Sequence, residues 1–375
     1  MSARFLTVVL ERVFNMRDGF GREIDYMRIS VIDSCNLNCY YCNPCDNNEH
    51  CHALNILSVK EVLCIVRAAT RLGIKHFRLT GGEPLLHPQL DEMVLQIKKI
   101  PGVSSVSLTT NAVLLAQHAK WLKEAGIDSI NVSLDTIDAS EYERITKKPL
   151  LEEVKHGINA AIECGIRVKI NVVLTPQTDV MALTRYVAKK GTDIRFIEMM
   201  PVGEGHTNGV EPYKKVIGTL SKLYGEPCRI NTEKTKEINS VNDKRKIPDN
   251  GPAEYYIFPE LGIRVGLIQA IHGKFCDTCN RIRVTADGRL MPCLGSSVTM
   301  DLVPDSWDFA DDVEKDFAIV RALRAAIKAK PRCHNFNDNA VTYTKTTETK
   351  TTETKTTEIE AAEVNAARNM SRIGG

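Results

Sequence analysis

Residues 27–42 read MRISVIDSCNLNCYYC, an apolar run with three cysteines close behind it. The apolar run predicts a buried strand. Cys35, Cys39 and Cys42 then supply three thiols just past its end. A four-iron cluster held by three thiolates keeps one iron free for a small molecule, whereas a structural zinc ion takes a fourth protein ligand, for which Cys45 is available. The stretch therefore predicts a metal site at the carboxyl end of a strand. At this point the site could hold either an iron–sulfur cluster or a zinc ion.

Apolar runs alternate with helical patterns from this strand to about residue 200. The predicted strands are 27–32, 76–79, 104–108, 129–134, 168–174 and 194–197. The predicted helices begin after Ser58, where Glu61 completes a capping box, and lie at 89–99, 115–125, 151–164 and 180–190. Strand–helix repeats predict an α/β fold with a parallel sheet. Polar residues follow each strand, which favours a partial (β/α)6 TIM-like barrel with its site on that rim.

The chain changes character beyond residue 203. An antiparallel pair over 254–267 and a helix over 313–328 predict a smaller C-terminal α+β region. Residues 344–358 repeat Thr-Lys-Thr-Thr-Glu and have no apolar face to bury, so we expect a flexible insert there. We therefore divide the chain into an N-terminal extension (1–26), the barrel (27–202), the C-terminal region (203–343), the insert (344–358) and a tail (359–375).

Composition excludes some classes of function. The formal net charge of the 375 residues is +2, so no global basic field gathers nucleic acid. No apolar run approaches the ~18 residues that a membrane helix needs. Twelve cysteines without a secretory signal favour metal binding over disulfides. We expect a cytoplasmic protein that binds neither nucleic acid nor membranes, and we interpret residues 1–17 as an ordinary extension rather than a targeting peptide.

Gly81-Gly82-Glu83-Pro84 follows the second predicted strand. Two glycines let the backbone approach a ligand closely, and a glutamate can accept hydrogen bonds from an amino group. By itself the tetrapeptide predicts only a turn. Its place one strand after the three-cysteine loop makes a ligand contact the better interpretation.

A second cysteine group, Cys276, Cys279 and Cys293, again offers three thiols. The alternative to a cluster is a zinc ribbon, and its candidate fourth ligands are His272, Cys228 and Cys333. Arg281 and Arg283 stand two apart in the strand-like segment after Cys279. Side chains two apart on a strand share a face, so the pair favours a common anionic ligand.

The three motifs together resemble the radical S-adenosylmethionine superfamily, in which a three-cysteine cluster and a Gly-Gly-Glu-Pro turn bind S-adenosylmethionine. Further segments are similar to the GTP 3′,8-cyclase family, also called molybdenum cofactor biosynthesis protein A. These segments are 18–22, 27–30, 195–201, 275–294 and the end 370–375, which closes on Gly374-Gly375. The resemblance spans about residues 18 to 375.

The resemblance implies a role for each matching position. Two [4Fe-4S] clusters would be held, the first by Cys35, Cys39 and Cys42 and the second by Cys276, Cys279 and Cys293. Positions that match the S-adenosylmethionine pocket are Tyr41, Gly82, Ser133 and Met200. Positions that match GTP contacts are Arg28, Arg78, Thr109, Lys169, Arg281, Ile282 and Arg283, with Arg195 a weaker candidate. Positions expected to take part in catalysis are Cys35, Cys39, Cys42, Arg281, Arg283, Gly374 and Gly375, the two glycines by reaching into the active site.

The residue types agree with those roles. Arginine forks suit the phosphate oxygens of a triphosphate. Lys169 lies inside an apolar strand, where a charge is costly unless an anion or carboxylate is its partner. For any single arginine a solvated surface charge remains the better interpretation.

The reaction that the resemblance implies is the conversion of GTP into (8S)-3′,8-cyclo-7,8-dihydroguanosine 5′-triphosphate, the first step of molybdenum cofactor biosynthesis. A deoxyadenosyl radical would take the 3′ hydrogen of the ribose, and the carbon radical would attack C8 of guanine. The implied partners are GTP, a reductase or flavodoxin-type electron donor and a downstream enzyme of the pyranopterin monophosphate synthase type. A homodimer stays open.

Two rival functions stay open. A different radical S-adenosylmethionine enzyme with an auxiliary cluster, such as a peptide-modifying one, would keep both cysteine groups but would have no reason to keep Arg281, Arg283 and the Gly-Gly end. A non-enzymatic iron–sulfur or zinc protein would want four ligands per metal site and no Gly-Gly-Glu-Pro turn. Ala112 also departs from the family, which has glycine after Thr-Thr-Asn.

Overall fold

The computed structural model describes residues 16–42, 55–202, 205, 209–230, 251–296, 298–302, 312–334 and 336. Within these ranges the chain forms one twelve-stranded sheet with helices packed on it. The strands are β1 (Tyr26–Ser30), β2 (His76–Thr80), β3 (Ser105–Thr110), β4 (Ser129–Ser133), β5 (Val168–Leu174), β6 (Asp193–Glu198), β7 (Cys228–Arg229), β8 (Glu254–Ile257), β9 (Arg264–Ile268), β10 (Arg281–Val284), β11 (Arg289–Met291) and β12 (Met300–Asp301).

Eight α-helices accompany the strands within the described residues. They are α1 (Val59–Arg71), α2 (Leu90–Lys98), α3 (Leu115–Glu124), α4 (Ala139–Thr146), α5 (Leu151–Glu163), α6 (Val180–Lys189), α7 (Gly218–Tyr224) and α8 (Asp312–Lys328). Helix α1 begins at the capping box predicted from the sequence, in which Ser58 and Glu61 satisfy each other's backbone N–H groups. No helix of the described part is long and apolar enough to cross a bilayer.

The strand order is β12-β11-β10-β1-β2-β3-β4-β5-β6-β9-β8-β7. The strands from β10 through β1–β6 to β9 are parallel to their neighbours, and antiparallel pairs complete both edges. Among the described strands, β7 and β12 have a neighbour on one side only, so the sheet formed by these residues is open. The predicted α/β class is confirmed, and the antiparallel pair predicted over 254–267 is β8 with β9.

The C-terminal region does not stand apart from the barrel. It supplies β9 beside β6 and β10 beside β1, so it extends the predicted six-stranded unit by parallel strands at both edges. Helix α8 then packs on α1. The predicted boundary at residue 202 marks a change in the character of the sequence. Strands from both sides of it belong to the same sheet.

The two faces of the sheet differ in chemistry because side chains alternate along a strand. One face is apolar and fully buried under the helices; it carries Met27, Ile29, Phe77, Leu79, Ile130, Ile170, Phe196 and Val284, among others. Each buried side chain of this size contributes about 1.5–3 kcal/mol to folding. The other face carries the polar and charged residues of the same strands. The functional side chains therefore lie on the face that the helices leave uncovered.

Candidate active site

A row of arginines crosses the polar face. Arg283 of β10, Arg28 of β1 and Arg78 of β2 are register partners on three adjacent parallel strands. Arg78 donates hydrogen bonds to the hydroxyl of Tyr26 and, at 3.4 Å, to the Oγ1 of Thr109. Burial and the charge of Arg283 lower the pKa of Arg28, as expected where like charges gather in a site of low polarity. Such a row suits an anion with several charges.

The first cysteine triad, Cys35, Cys39 and Cys42, follows the carboxyl end of β1. Burial raises the pKa of the Cys35 thiol to about 11 and, together with the Cys35 charge and Asp135, that of Cys42 to about 12. Burial, Cys42 and Asp135 raise the pKa of Cys39. The three thiols lie close enough to affect one another and sit in a buried, acidic setting, so a positive metal centre would have to offset their charge as thiolates.

Gly81 and Gly82 hold the polypeptide against the loop that leads to this triad. A Cβ on Gly82 would lie 2.2 Å from the carbonyl oxygen of Ser34, and one on Gly81 would lie 2.4 Å from that of Ile32. The backbone N–H of Gly82 donates to the Ile32 oxygen at 2.8 Å. The glycines therefore position the cysteine loop, and the ligand contact predicted for them from the sequence stays a prediction.

Glu83 is buried and joins β2 to the loop after β3. Its carboxylate accepts hydrogen bonds from the Thr110 hydroxyl at 2.6 Å, the Asn111 N–H at 2.7 Å and the Leu85 N–H at 3.0 Å. Asn111 in turn donates to the Cys35 sulfur at 3.8 Å. Burial raises the pKa of Glu83 to about 7, although these hydrogen bonds lower it. The Glu83 oxygens, which the sequence predicted as acceptors for a ligand amino group, therefore already accept three hydrogen bonds from the chain itself.

Tyr41 is fixed by Asp135, which follows β4. The phenol donates to the Asp135 carboxylate at 2.5 Å, and the carboxylate also accepts from the Val173 N–H at 2.7 Å. Burial raises the pKa of Asp135 to about 6, against the lowering effect of these bonds. Because Tyr41 stands between Cys39 and Cys42, this contact ties the triad to the ends of β4 and β5.

The second triad, Cys276, Cys279 and Cys293, lies in the opposite kind of setting. Burial would raise the pKa of Cys279, but the charges of Arg281 and Lys330 lower it to about 6. Arg281 also stacks over the Phe275 ring at 4.9 Å. The nearby cations therefore favour the thiolate form of Cys279 before any metal binds, whereas burial raises the pKa of Cys276.

Two buried cations tie the second triad to distant parts of the chain. Lys330, after α8, donates to the carbonyl oxygens of Arg281 and Pro292, each at 2.8 Å. Arg22 donates to the Cys276 oxygen at 2.6 Å and to two carbonyl oxygens of the segment after Lys330 at 2.6 and 2.9 Å. Asp18 holds Arg22 in place through an ion pair of 2.5 Å. Lys330, Arg22 and Asp135 were not among the site residues predicted from the sequence.

The two triads lie at opposite ends of the same strands. Cys279 precedes the start of β10, which is level with the start of β1, because Arg281 is the register partner of Tyr26. Cys35 follows the far end of β1. A five-residue strand spans about 13 Å at ~3.3 Å per residue, and the arginine row crosses the sheet between the two ends. A ligand on the polar face would thus touch the arginines and lie between both triads.

The remaining predicted positions fall into two sets. Thr109, Lys169 and Arg195 lie on the polar face, where Lys169 is a register neighbour of Asn131 and Asp193 and stands 5.8 Å from the Tyr255 ring centroid. Ser133 ends β4, and Met200 follows β6, both near the rim. Ile282 points the other way: its side chain belongs to the apolar core, so only its backbone is available to a substrate. Gly374, Gly375, Cys45 and residues 344–373 lie outside the described residues.

The residues present fit clusters better than single ions. In the described part of the chain, no three His, Cys, Asp or Glu side chains converge as one metal ion would require. A four-iron cube is larger and holds its thiolates further apart. The buried Nε atoms of Arg281 and Arg283 also have no hydrogen-bond partner in the described ranges, which leaves donors for an anionic ligand. His272, a candidate fourth zinc ligand, contacts Glu198 through Nδ1, which leaves its Nε2 open.

Comparison with known proteins gives consistent results. Residues 29–184 match the family model of the Radical SAM superfamily, and residues 192–336 match that of Molybdenum Cofactor Synthesis C. The chain is 35% identical over 324 residues to the GTP 3′,8-cyclase of Clostridium perfringens, covering 86% of this chain and 95% of the relative. It is 36% identical to the GTP 3′,8-cyclase of Pelotomaculum thermopropionicum, covering 85% and 95%.

Among solved structures, Streptococcus suis SuiB bound to the precursor peptide SuiA is similar with a TM-score of 0.52 and 14% identity, covering 82% of this chain and 68% of that one. At this identity the likeness concerns the fold alone.

Proposed function

The chain belongs to the GTP 3′,8-cyclase family, and on that premise we propose that it converts GTP into the 3′,8-cyclised dihydroguanosine triphosphate, the first step of molybdenum cofactor biosynthesis. One observation supports the proposal most: two three-cysteine groups lie at opposite ends of one sheet face, with a row of arginines between them. This arrangement is required if a radical is generated at one end of the sheet face and the substrate is bound at the other.

The first triad would hold the cluster that binds S-adenosylmethionine, and the second would hold the cluster that meets guanine. When bound, these groups supply the carbon radical that takes a hydrogen from GTP and the electron that completes the reaction. Three thiolates per cluster leave one iron open for each small molecule. Tyr41, Gly82, Ser133 and Met200 would line the S-adenosylmethionine pocket near the first triad.

The chain's own residues would bind and orient the triphosphate. Arg28, Arg78 and Arg283 form one row, and Arg281 lies beside the second triad, so phosphate oxygens and base have separate cationic partners. Lys169 and Thr109 add donors on neighbouring strands. Fixing the ribose between the two ends would supply the proximity that a radical attack on C8 requires. Gly374 and Gly375 would complete the site by backbone contact.

We propose two partner proteins besides the substrate GTP. A reductase or flavodoxin-type protein would deliver electrons to the first triad, since reductive cleavage needs a low-potential donor. An enzyme of the pyranopterin monophosphate synthase type would consume the cyclised nucleotide. The chain would work as a cytoplasmic protein, alone or as a homodimer.

The test is anaerobic reconstitution followed by reaction with S-adenosylmethionine, GTP and a reductant. We expect about eight iron atoms per chain, from two four-iron clusters, with 5′-deoxyadenosine and cyclised GTP formed together. Cleavage of S-adenosylmethionine with GTP unchanged would refute the substrate, and a protein that binds only zinc would refute the whole proposal.

A variant pair tests the arginine row. Arg283→Ala should abolish GTP turnover and leave the iron content unchanged, because Arg283 is buried in the row between the triads. Arg289→Ala is the matched control: Arg289 is half-exposed on the adjacent strand β11 and pairs with Asp287 and Asp301 at 3.8 and 3.5 Å. Loss of iron in Arg283→Ala would mean that Arg283 supports the fold of the second triad instead.

A further inference from the structure

Lys330 lies inside the second triad. It follows the last turn of α8, and 3% of its surface is exposed. Its ammonium donates to the carbonyl oxygen of Arg281, two residues after Cys279, and to that of Pro292, one residue before Cys293. One side chain therefore joins the two ligand-bearing segments.

The third N–H of the ammonium is available to the thiols. Burial lowers the pKa of Lys330, while the Cys279 and Cys293 charges and a hydrogen bond with Cys279 raise it. A buried ammonium is costly unless it is paired. The two carbonyls accept from two of its three N–H donors without neutralising its charge, which is left to the cysteines.

The effect of such a charge on a cluster follows from electrostatics. Reduction adds one negative charge to the cluster, and a fixed positive charge nearby stabilises that form. Net charge and hydrogen bonds to sulfur are the protein's main means of setting a cluster potential. The first triad has no counterpart among the described residues; its nearest titratable partners are Asp135 and Glu83.

We propose that Lys330 is a positioning residue of the second cluster, which joins its two ligand segments and raises its reduction potential. The inference rests on the proposed function, since it presumes a cluster at Cys276, Cys279 and Cys293. It goes beyond that function, because neither binding of GTP nor formation of the radical calls for a lysine at this place.

The test is a redox titration of the second cluster by electron paramagnetic resonance. The full chain is used with Cys35, Cys39 and Cys42 changed to Ala, so that the second cluster alone gives a signal. Lys330→Gln keeps an amide donor for the carbonyls and removes the charge; Lys330→Arg keeps the charge. Lys328→Met is the matched control, since Lys328 is an exposed lysine at the end of the same helix.

We expect Lys330→Gln to hold about four iron atoms and to show a midpoint potential shifted to more negative values. Lys330→Arg and Lys328→Met should stay near the parent chain. If Lys330→Gln loses its iron while Lys330→Arg keeps it, the ammonium holds the ligand segments, which also supports the proposal. A Lys330→Gln cluster with an unchanged potential would overturn it, and so would loss of iron in both variants.

The two proposals fail in different ways. If the parent chain has no cluster at Cys276, Cys279 and Cys293, the proposed function fails before Lys330 is tested. If the parent chain has the cluster and cyclises GTP, an unchanged potential in Lys330→Gln refutes the role of Lys330 alone.

Discussion

The two cysteine triads have the same three ligands and opposite surroundings. The first is buried beside the carboxylates Asp135 and Glu83, and the pKa of each of its thiols is raised. In the second, Arg281 and Lys330 lower the pKa of Cys279 to about 6. Negative surroundings oppose the gain of an electron, and positive ones favour it. The contrast fits a first cluster that gives electrons away readily and a second that holds an electron and an anionic substrate.

The largest effect should come from removing one triad at a time. Changing Cys35, Cys39 and Cys42 to Ala should halve the iron to about four atoms and abolish both 5′-deoxyadenosine and cyclised GTP. The same change at Cys276, Cys279 and Cys293 should also halve the iron and abolish cyclisation, yet leave cleavage of S-adenosylmethionine measurable. Iron analysis and mass spectrometry of the products check this. Equal loss of cleavage in both variants would erase the functional contrast between the triads.

The acidic character of the first region should appear in the pH dependence of metal-free protein. Burial raises the pKa of Glu83 from 4.5 to about 7. Since the folded pKa is above the unfolded value, Glu83 favours folding most below pH 4.5, and this contribution is lost as the pH rises to 7. The loss is on the order of 3 kcal/mol.

Urea unfolding of the parent chain and of Glu83→Gln at pH 5 and pH 7.5 measures that loss. The stability of the parent relative to the variant should fall between the two values. A constant difference would show that Glu83 stays charged throughout, and that the first region is less apolar than its burial indicates.

The negative charge of Asp135 should matter for the first cluster alone. Asp135→Asn should make that cluster easier to reduce and slow the formation of 5′-deoxyadenosine by about tenfold, equal to about 1.4 kcal/mol of barrier. Tyr41→Phe removes the hydrogen bond at 2.5 Å and keeps the charge, so its cluster potential, compared with that of Asp135→Asn, separates the effect of the charge from that of the hydrogen bond. Potentials and single-turnover rates check this. A shift in the second cluster instead would break the assignment of Asp135 to the first.

The smallest effect concerns backbone strain, which in the described residues lies beside the first triad. Ala112 and Lys147 are the non-glycine residues with positive φ there, at 65° and 61°. A left-handed conformation costs such residues about 1–2 kcal/mol. Ala112→Gly should stabilise the chain by up to about 1 kcal/mol, since a buried methyl is lost as well.

Lys147→Gly is the comparison, because Lys147 is exposed and loses no buried methyl. The free energy of unfolding of Lys147→Gly should therefore rise by the full strain of about 1–2 kcal/mol. A thermal or urea unfolding experiment measures this. Destabilisation by Ala112→Gly would mean that packing of the Ala112 methyl outweighs the strain that the departure from the family's glycine introduces.

Local patterns in the sequence predicted most of the fold. Strands β1 to β6 and helices α2, α3, α5, α6 and α8 were predicted to within about two residues, because each has a continuous apolar face. For α1 the sequence predicted the start alone, at Ser58. Helix α4 was missed, although Asp138 caps it and Glu141 stands three residues on, which is a start signal. The places of β9 and β10 at the sheet edges could not be predicted, since no local pattern reports which strand a segment pairs with.

The sequence predicted those site residues whose chemical type is unusual at their position. The cysteines and Arg28, Arg78 and Arg283 are unusual where they stand, and the structure brings the arginines into one row. Lys330 was missed because its partners are backbone carbonyls far along the chain. Arg22 lies in the family-like segment 18–22, but its contacts with distant carbonyl oxygens could not be predicted from it. The close approach of Gly82 to the Ser34 backbone could not be predicted either, because no local pattern shows where that segment lies.

The pairing of β10 with β1 has a consequence for how the protein is made. Asn280, at the start of β10, bonds to Asp25 across 255 residues of chain. The first triad and its strands leave the ribosome early, whereas the arginine strand and the second triad arrive near the end. Folding during synthesis begins with the segments that emerge first, so β1 has β2 as a partner long before β10 is available. The edge of β1 that β10 covers therefore stays without its partner strand until nearly the whole described chain has been made.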